Sequence, residues 1–132
     1  MFDILYYTDD SGNSPIEDYI KSLVEKNDKD SRIKANKILD YLDFLAIHGK
    51  RAGEPYVKHL DGEIWELRPL RDRFLFATWD GETLLLLHHF IKETKKTPQR
   101  EIRQAKRNLR RYRDSNKQKK VSCISKGDGF NG

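Results

Sequence analysis

Residues Ile64 to Pro98 read IWELRPLRDRFLFATWDGETLLLLHHFIKETKKTP, and this run decides the fold. Three β-prone segments follow one another in it: Glu63–Arg68, Arg73–Trp79 and Glu82–Ile91. Asp80-Gly81 is a two-residue hairpin signal between the last two. Leu84–Leu87 is a continuous apolar run, as expected of a central, covered strand. Side chains alternate along a strand, so Trp65 and Leu67 point one way while Glu66 and Arg68 point the other. The apolar side is expected to meet helices, leaving Glu66 and Arg68 on an open face with Arg73 beside them. His88, His89, Lys92, Lys95 and Lys96 gather around the end of the last segment.

Upstream, Phe2 to Tyr7 is apolar and β-prone and stops at the turn cluster Thr8 to Asn13. Ser14-Pro15-Ile16-Glu17 predicts a helix opening with a capping box. Ile16, Tyr19, Ile20, Leu23 and Val24 follow at helical spacing. A second helix is predicted from about Asp30 or Ser31, with Ile38, Tyr41, Leu42 and Leu45 as its stripe and Gly49 at its end. Lys50 to Leu60 reads as a loop. The two helices predict a hairpin whose apolar faces cover the sheet.

Downstream, Pro98 opens a third helix with a narrow apolar stripe of Ile102, Ala105, Leu109 and Tyr112. Arg100, Arg103, Lys106, Arg107, Arg110, Arg111 and Arg113 fill its other sides. The predicted fold class is α+β: an antiparallel sheet with an N-terminal helical hairpin and a C-terminal helix packed on one face. Residues 1–114 form one domain, and the polar tail 115–132 is predicted to be disordered.

The net charge of +5 is unevenly spread. Between Lys92 and Lys120 thirteen lysines and arginines face only Glu93, Glu101 and Asp114, a local net of +10. Such a split points to a polyanionic partner. No segment approaches the roughly 18–20 apolar residues that span a bilayer, and the N-terminus lacks a signal-peptide pattern. The lone Cys123 supports neither a disulfide framework nor a metal site. A cytoplasmic protein is expected.

The cations on the sheet suit cleavage of RNA by its own 2′-hydroxyl. That reaction needs charge stabilisation on the phosphorane, a base for the 2′-OH and an acid for the leaving 5′-oxygen. Arginine grips phosphate bidentately. Histidine, glutamate or a lysine of lowered pKa can move protons. No metal or other cofactor is required, and none is suggested.

LDGEIWELRP, RFLFATWDGETLLLLHHFIKETKKTP and EIRQAKRNLRRY together resemble the RelE/ParE superfamily of type II toxins, most nearly its HigB-like, often phage-associated branch. The resemblance covers about Met1 to Arg113. It implies a RelE-like fold and a ribosome-dependent endoribonuclease that cuts translated mRNA in the A site. Arg68 matches the arginine closing the Trp-Glu-Leu-Arg strand, and Arg73 matches the arginine opening the next, the strongest catalytic candidate in RelE-like toxins. Lys92 matches the first lysine after the last strand, and Lys95 and Lys96 match the basic run before the proline.

There are departures from the pattern. Glu93 stands where a second basic residue is usual, and the C-terminal tyrosine that RelE uses in that region is missing. Proton transfer is left to His88, His89 or Glu66. Arg100, Arg103, Lys106 and Arg107 are expected to add RNA-binding charge. The resemblance also implies a cognate helix-turn-helix antitoxin as partner. Two other readings stay open: a non-catalytic RNA- or ribosome-binding protein, and a ParE-like gyrase poison.

Overall fold

Two neighbouring strands set the architecture through the direction of their side chains. In one, Phe74 and Phe76 join one buried cluster while Leu75 and Ala77 join another. In the next, Leu84 and Leu86 go with the first cluster and Leu85 and Leu87 with the second. A sheet that is apolar on both faces must be covered on both.

The computed structural model describes the backbone of residues 1–131 and the side chains of residues 1–116. Its elements are β1 (Asp3–Tyr6), α1 (Pro15–Glu25), α2 (Lys29–His48), a 3-10 turn at Gly49–Ala52, β2 (Val57–Asp61), β3 (Ile64–Leu67), β4 (Asp72–Asp80), β5 (Thr83–Ile91) and α3 (Gln99–Asn131). The strands form one sheet in the order β1-β5-β4-β3-β2. β1 runs parallel to β5, and the other pairs are antiparallel. The fold is α+β, with N-terminal helices and a C-terminal helix packed on a mostly antiparallel sheet. The tail predicted to be disordered lies, from residue 117 on, outside the residues whose side chains are described.

The helices, expected together on one face, divide between the two. Ile16, Ile20 and Leu23 of α1 and Ala35, Ile38, Leu42 and Leu45 of α2 pack against Leu67, Phe74, Phe76, Leu84 and Leu86. Ile102, Ala105 and Leu109 of α3 pack on Ile64, Leu75, Ala77, Leu85 and Leu87 from the other side. The face predicted to be open is therefore covered along most of its length. Burying Ile102 and Leu109 stabilises this docking by roughly 1.5–3 kcal/mol each. The pairs Lys106–Asp61 and Arg113–Glu63, at 2.5 and 2.6 Å, are exposed and screened by solvent, so they add little. The apolar stripe therefore holds α3 down, and the ion pairs refine its orientation.

β2 is a strand where the sequence reads as loop. Pro55 precedes it and a bulge between His59 and Asp61 breaks its alternation. A second bulge fixes the histidines. Leu75 pairs with His88 but Phe76 pairs with Leu86, so Leu87 is an extra residue in β5. His88 consequently faces α3, where it meets Glu101, and His89 faces α1, where it stacks on Tyr19.

The helix ends differ from expectation in one detail. Ser14 is the N-cap of α1, but its hydroxyl makes no capping bond and is buried without a partner. α2 instead opens on Asp28, whose carboxylate accepts from the Ser31 N–H at 2.9 Å. Gly49 closes α2 as predicted, with a φ of +59° and its N–H donated to the Leu45 carbonyl. A Cβ there would stand 2.6 Å from the Phe2 ring, which closes over this turn. Gly49→Ala is therefore expected to destabilise the protein by about 2 kcal/mol, from the left-handed backbone and the clash together. A urea unfolding midpoint indistinguishable from wild type would contradict this. Among the described residues no helix is long and apolar enough to cross a membrane.

Candidate functional site

α3 leaves one end of its face of the sheet uncovered. Alternation places Lys58 of β2, Glu66 of β3, the following Arg68 and Arg73 of β4 on that end, with Lys92 just beyond β5. Lys58 and Glu66 are direct cross-strand partners. Lys58 was hidden in the sequence because β2 read as loop.

Glu66 is the centre of the cluster and is almost fully buried. Its Oε1 lies 3.4 Å from Arg68 Nε and 3.8 Å from Arg73 Nε. Its Oε2 accepts the hydroxyl of Thr97, which belts the segment before α3 onto the sheet. A carboxylate so engaged orients two guanidiniums. Both arginine Nε atoms are buried and neither has a hydrogen-bond partner, so they face Glu66 as ion pairs only.

Arg73 is itself buried, rather than exposed as the sequence suggested. Its Nη1 donates to the Leu70 carbonyl at 2.8 Å and to its neighbour Asp72's carbonyl at 2.9 Å. The first bond depends on an unusual turn, since Leu70 has a φ of +54°. Burial lowers the pKa of Arg73, Glu66 opposes that, and the nearby Arg68 adds to it. Arginine remains charged throughout. Burial, followed by the charges of Arg73 and Arg68, also holds the Lys92 ammonium below the ordinary lysine value, with Glu66 acting in the opposite sense. Four cations and one carboxylate thus share a small, partly desolvated region.

Arg71 pins the rim. It donates through Nη2 to the Lys92 carbonyl at 3.0 Å, while Lys92 N–H returns a bond to the Arg71 carbonyl at 2.8 Å. Arg71, Arg73, Lys92, Glu93, Thr94 and Lys95 line an open depression of about 460 Å³. Such a depression suits a phosphate group better than a drug-like molecule, being shallow and cationic. Lys96 is exposed nearby.

The remaining expected residues are placed elsewhere. His88 is engaged by Glu101 at 2.8 Å and, with His89, lines a separate depression beside Tyr7, Gln104 and Asn108. Arg100 and Arg103 are exposed on the first turns of α3. Lys106 and Arg107 are already engaged, by Asp61 and by Gln104. At 1.5 Å per residue they lie about 14 Å along the helix from Thr97.

Sequence reasoning missed the support behind Arg73. Asp72 is fully buried, and its Oδ1 accepts from Tyr19 Oη at 3.0 Å and His89 Nε2 at 3.2 Å, with Lys34 Nζ at 3.4 Å. Burial raises its pKa, but the bonds from His89 and Tyr19 and the charges of His89 and Lys34 outweigh that and leave it lowered. This network joins α1, α2, β4 and β5 one residue from Arg73.

The family described as Phage derived protein Gp49-like (DUF891) matches residues 21–110. That range contains α2, strands β2 to β5, the start of α3 and every residue of the cationic cluster. No curated protein matches the chain. With that share of its 132 residues matched, the chain belongs to the phage-derived Gp49-like family.

Proposed function

We propose that this protein is the toxin of a type II toxin–antitoxin system, a ribosome-dependent endoribonuclease that cuts mRNA. The Gp49-like family is a RelE/HigB-like toxin family, which supports the class. The observation that carries the reading is the pair of guanidiniums, Arg68 and Arg73, held by buried Glu66 beside a lysine of lowered pKa.

In this reading the 2′-hydroxyl oxygen attacks the adjacent phosphorus, the bond from phosphorus to the 5′-oxygen breaks, and a 2′,3′-cyclic phosphate remains. Arg73 and Arg68 stabilise the charge that develops on the phosphorane oxygens. Lys92, made more acidic by burial and then by Arg73 and Arg68, donates the proton to the leaving 5′-oxygen. Glu66 orients the arginines, and the 2′-OH proton passes to an acceptor outside the cluster. Lys95 and the exposed Arg100 and Arg103 hold flanking phosphates.

Induced expression in a bacterium with mapping of mRNA 5′ ends tests this. Growth arrest with new ends inside translated frames is expected, and Lys92→Gln should slow cutting by about 10²-fold. Arg103→Ala should lower the salt slope of RNA binding by about one phosphate contact. An unchanged slope would remove α3 from the interface.

One observation favours a second reading, a non-catalytic RNA- or ribosome-binding protein. Glu66 is held by three partners and His88 by Glu101, so neither is a free base at the cluster. Arrest without new mRNA ends would favour it, and arrest of replication with normal translation would point to a gyrase poison. The proposed partner is a small helix-turn-helix antitoxin that neutralises the cationic depression. Its co-purification with the chain, lost on charge reversal at Lys92 and Lys95, is the corresponding test.

A further inference from the structure

On the other side of Arg71 from the cationic depression lies a second one, about 440 Å³ in volume. Its walls are Ile33, Leu70 and Ile91, with Asp30, Lys34, Arg71 and Glu93 around the rim. The two depressions share Arg71 and Glu93. The three aliphatic side chains are 49, 51 and 46% exposed. Single exposed apolar residues are ordinary, but three converging on one depression call for an occupant.

Leu70 makes the case sharper. Its left-handed backbone aims its carbonyl at Arg73 Nη1. That task needs the conformation, not the side chain, and glycine or asparagine would adopt it at lower cost. The leucine side chain gains little within the fold, being half exposed.

We infer that the Ile33–Leu70–Ile91 trough is a nucleobase subsite, taking the base of a nucleotide whose phosphate occupies the Arg73–Lys92 depression. The inference rests on the RNA reading above. Apolar walls suit the faces of a base. The rim suits its edges: Asp30 and Glu93 accept from exocyclic amines, while Lys34 and Arg71 donate to ring nitrogens and carbonyls. The shared walls make the two depressions adjacent, as a base and its own phosphate are. Glu93, an acid in an otherwise basic run, gains a role as a reader of base edges.

The test measures binding of two probes at low salt: a 2′-O-methyl RNA hexanucleotide, which cannot be cut by 2′-attack, and an abasic phosphate backbone of the same length. Wild type should favour the base-bearing probe by about tenfold. Leu70→Asn keeps the left-handed turn and should bring that ratio near unity, leaving affinity for the abasic probe unchanged. Ile33→Gln should act alike, independently of the turn. If wild type binds both probes equally, or both variants keep its preference, the subsite is overturned and the trough is left to a protein partner. If neither probe binds, the subsite is overturned, while the ribosome-dependent reading stands or falls separately on cutting of a translated message.

Discussion

Replacing Asp72 by alanine is expected to destabilise the protein by about 3 kcal/mol. The substitution removes the acceptor shared by Tyr19 and His89 and the countercharge of Lys34 in a region with little access to water. Asp72→Asn keeps the shape and one acceptor oxygen and should cost about half as much. The effect also has a pH signature. The folded pKa of Asp72 is depressed, so its stabilisation is fully present above the ordinary carboxylate value and is lost as pH falls through the folded value. The gap in urea midpoint between wild type and Asp72→Asn should therefore be widest near neutrality and shrink in acid. A gap that is constant with pH would mean that the carboxylate charge contributes nothing.

Arg73→Ala is expected to lower the cleavage rate by about 10²–10³-fold, the usual cost of one donor aimed at developing charge. Because Arg73 is buried, the variant also leaves the Leu70 carbonyl without its donor and Glu66 with one guanidinium fewer. A stability loss of about 1–3 kcal/mol should accompany it. Arg73→Lys separates the two effects. It keeps a charge but not the planar guanidinium, whose Nη1 donates to the Leu70 and Asp72 carbonyls while its Nε faces Glu66. Activity should stay near the alanine level while part of the stability returns. Cleavage at the wild-type rate in Arg73→Lys would place the transition-state contact on another residue.

The two predictions meet in the geometry. Asp72 and Arg73 are consecutive, so one side chain anchors the start of β4 to the helical hairpin while the next faces the cationic depression.

β3, β4 and β5 were legible because period-two alternation and the turn residues between them are local signals. The same alternation put Glu66, Arg68 and Arg73 on one face, as the structure has them. β2 was not legible, since its bulge breaks the pattern over five residues. The coverage of both faces was present in Leu84–Leu87, because a strand apolar at consecutive positions has no solvent side. It went unread because the arginines beside it suggested a face that is open throughout.

The Asp72 network could not be read at all. Its partners Tyr19 and His89 are 53 and 17 residues away, and in sequence the aspartate looks like part of the Pro69 turn. The belt between Thr97 and Glu66 spans 31 residues and is equally silent. Strand alternation alone sends His88 and His89 to opposite faces, but the bulge that sends His88 to Glu101 leaves no trace in the pattern.

The central claim is tested most directly with purified ribosomes translating a defined message. The protein should cut that message within its translated frame and leave a 2′,3′-cyclic phosphate on the upstream fragment. Replacing the nucleotide on the 5′ side of the cut by its 2′-deoxy form should abolish cleavage there. Cutting that survives the 2′-deoxy substitution, or an intact message on ribosomes that the protein has nonetheless stalled, would contradict the account.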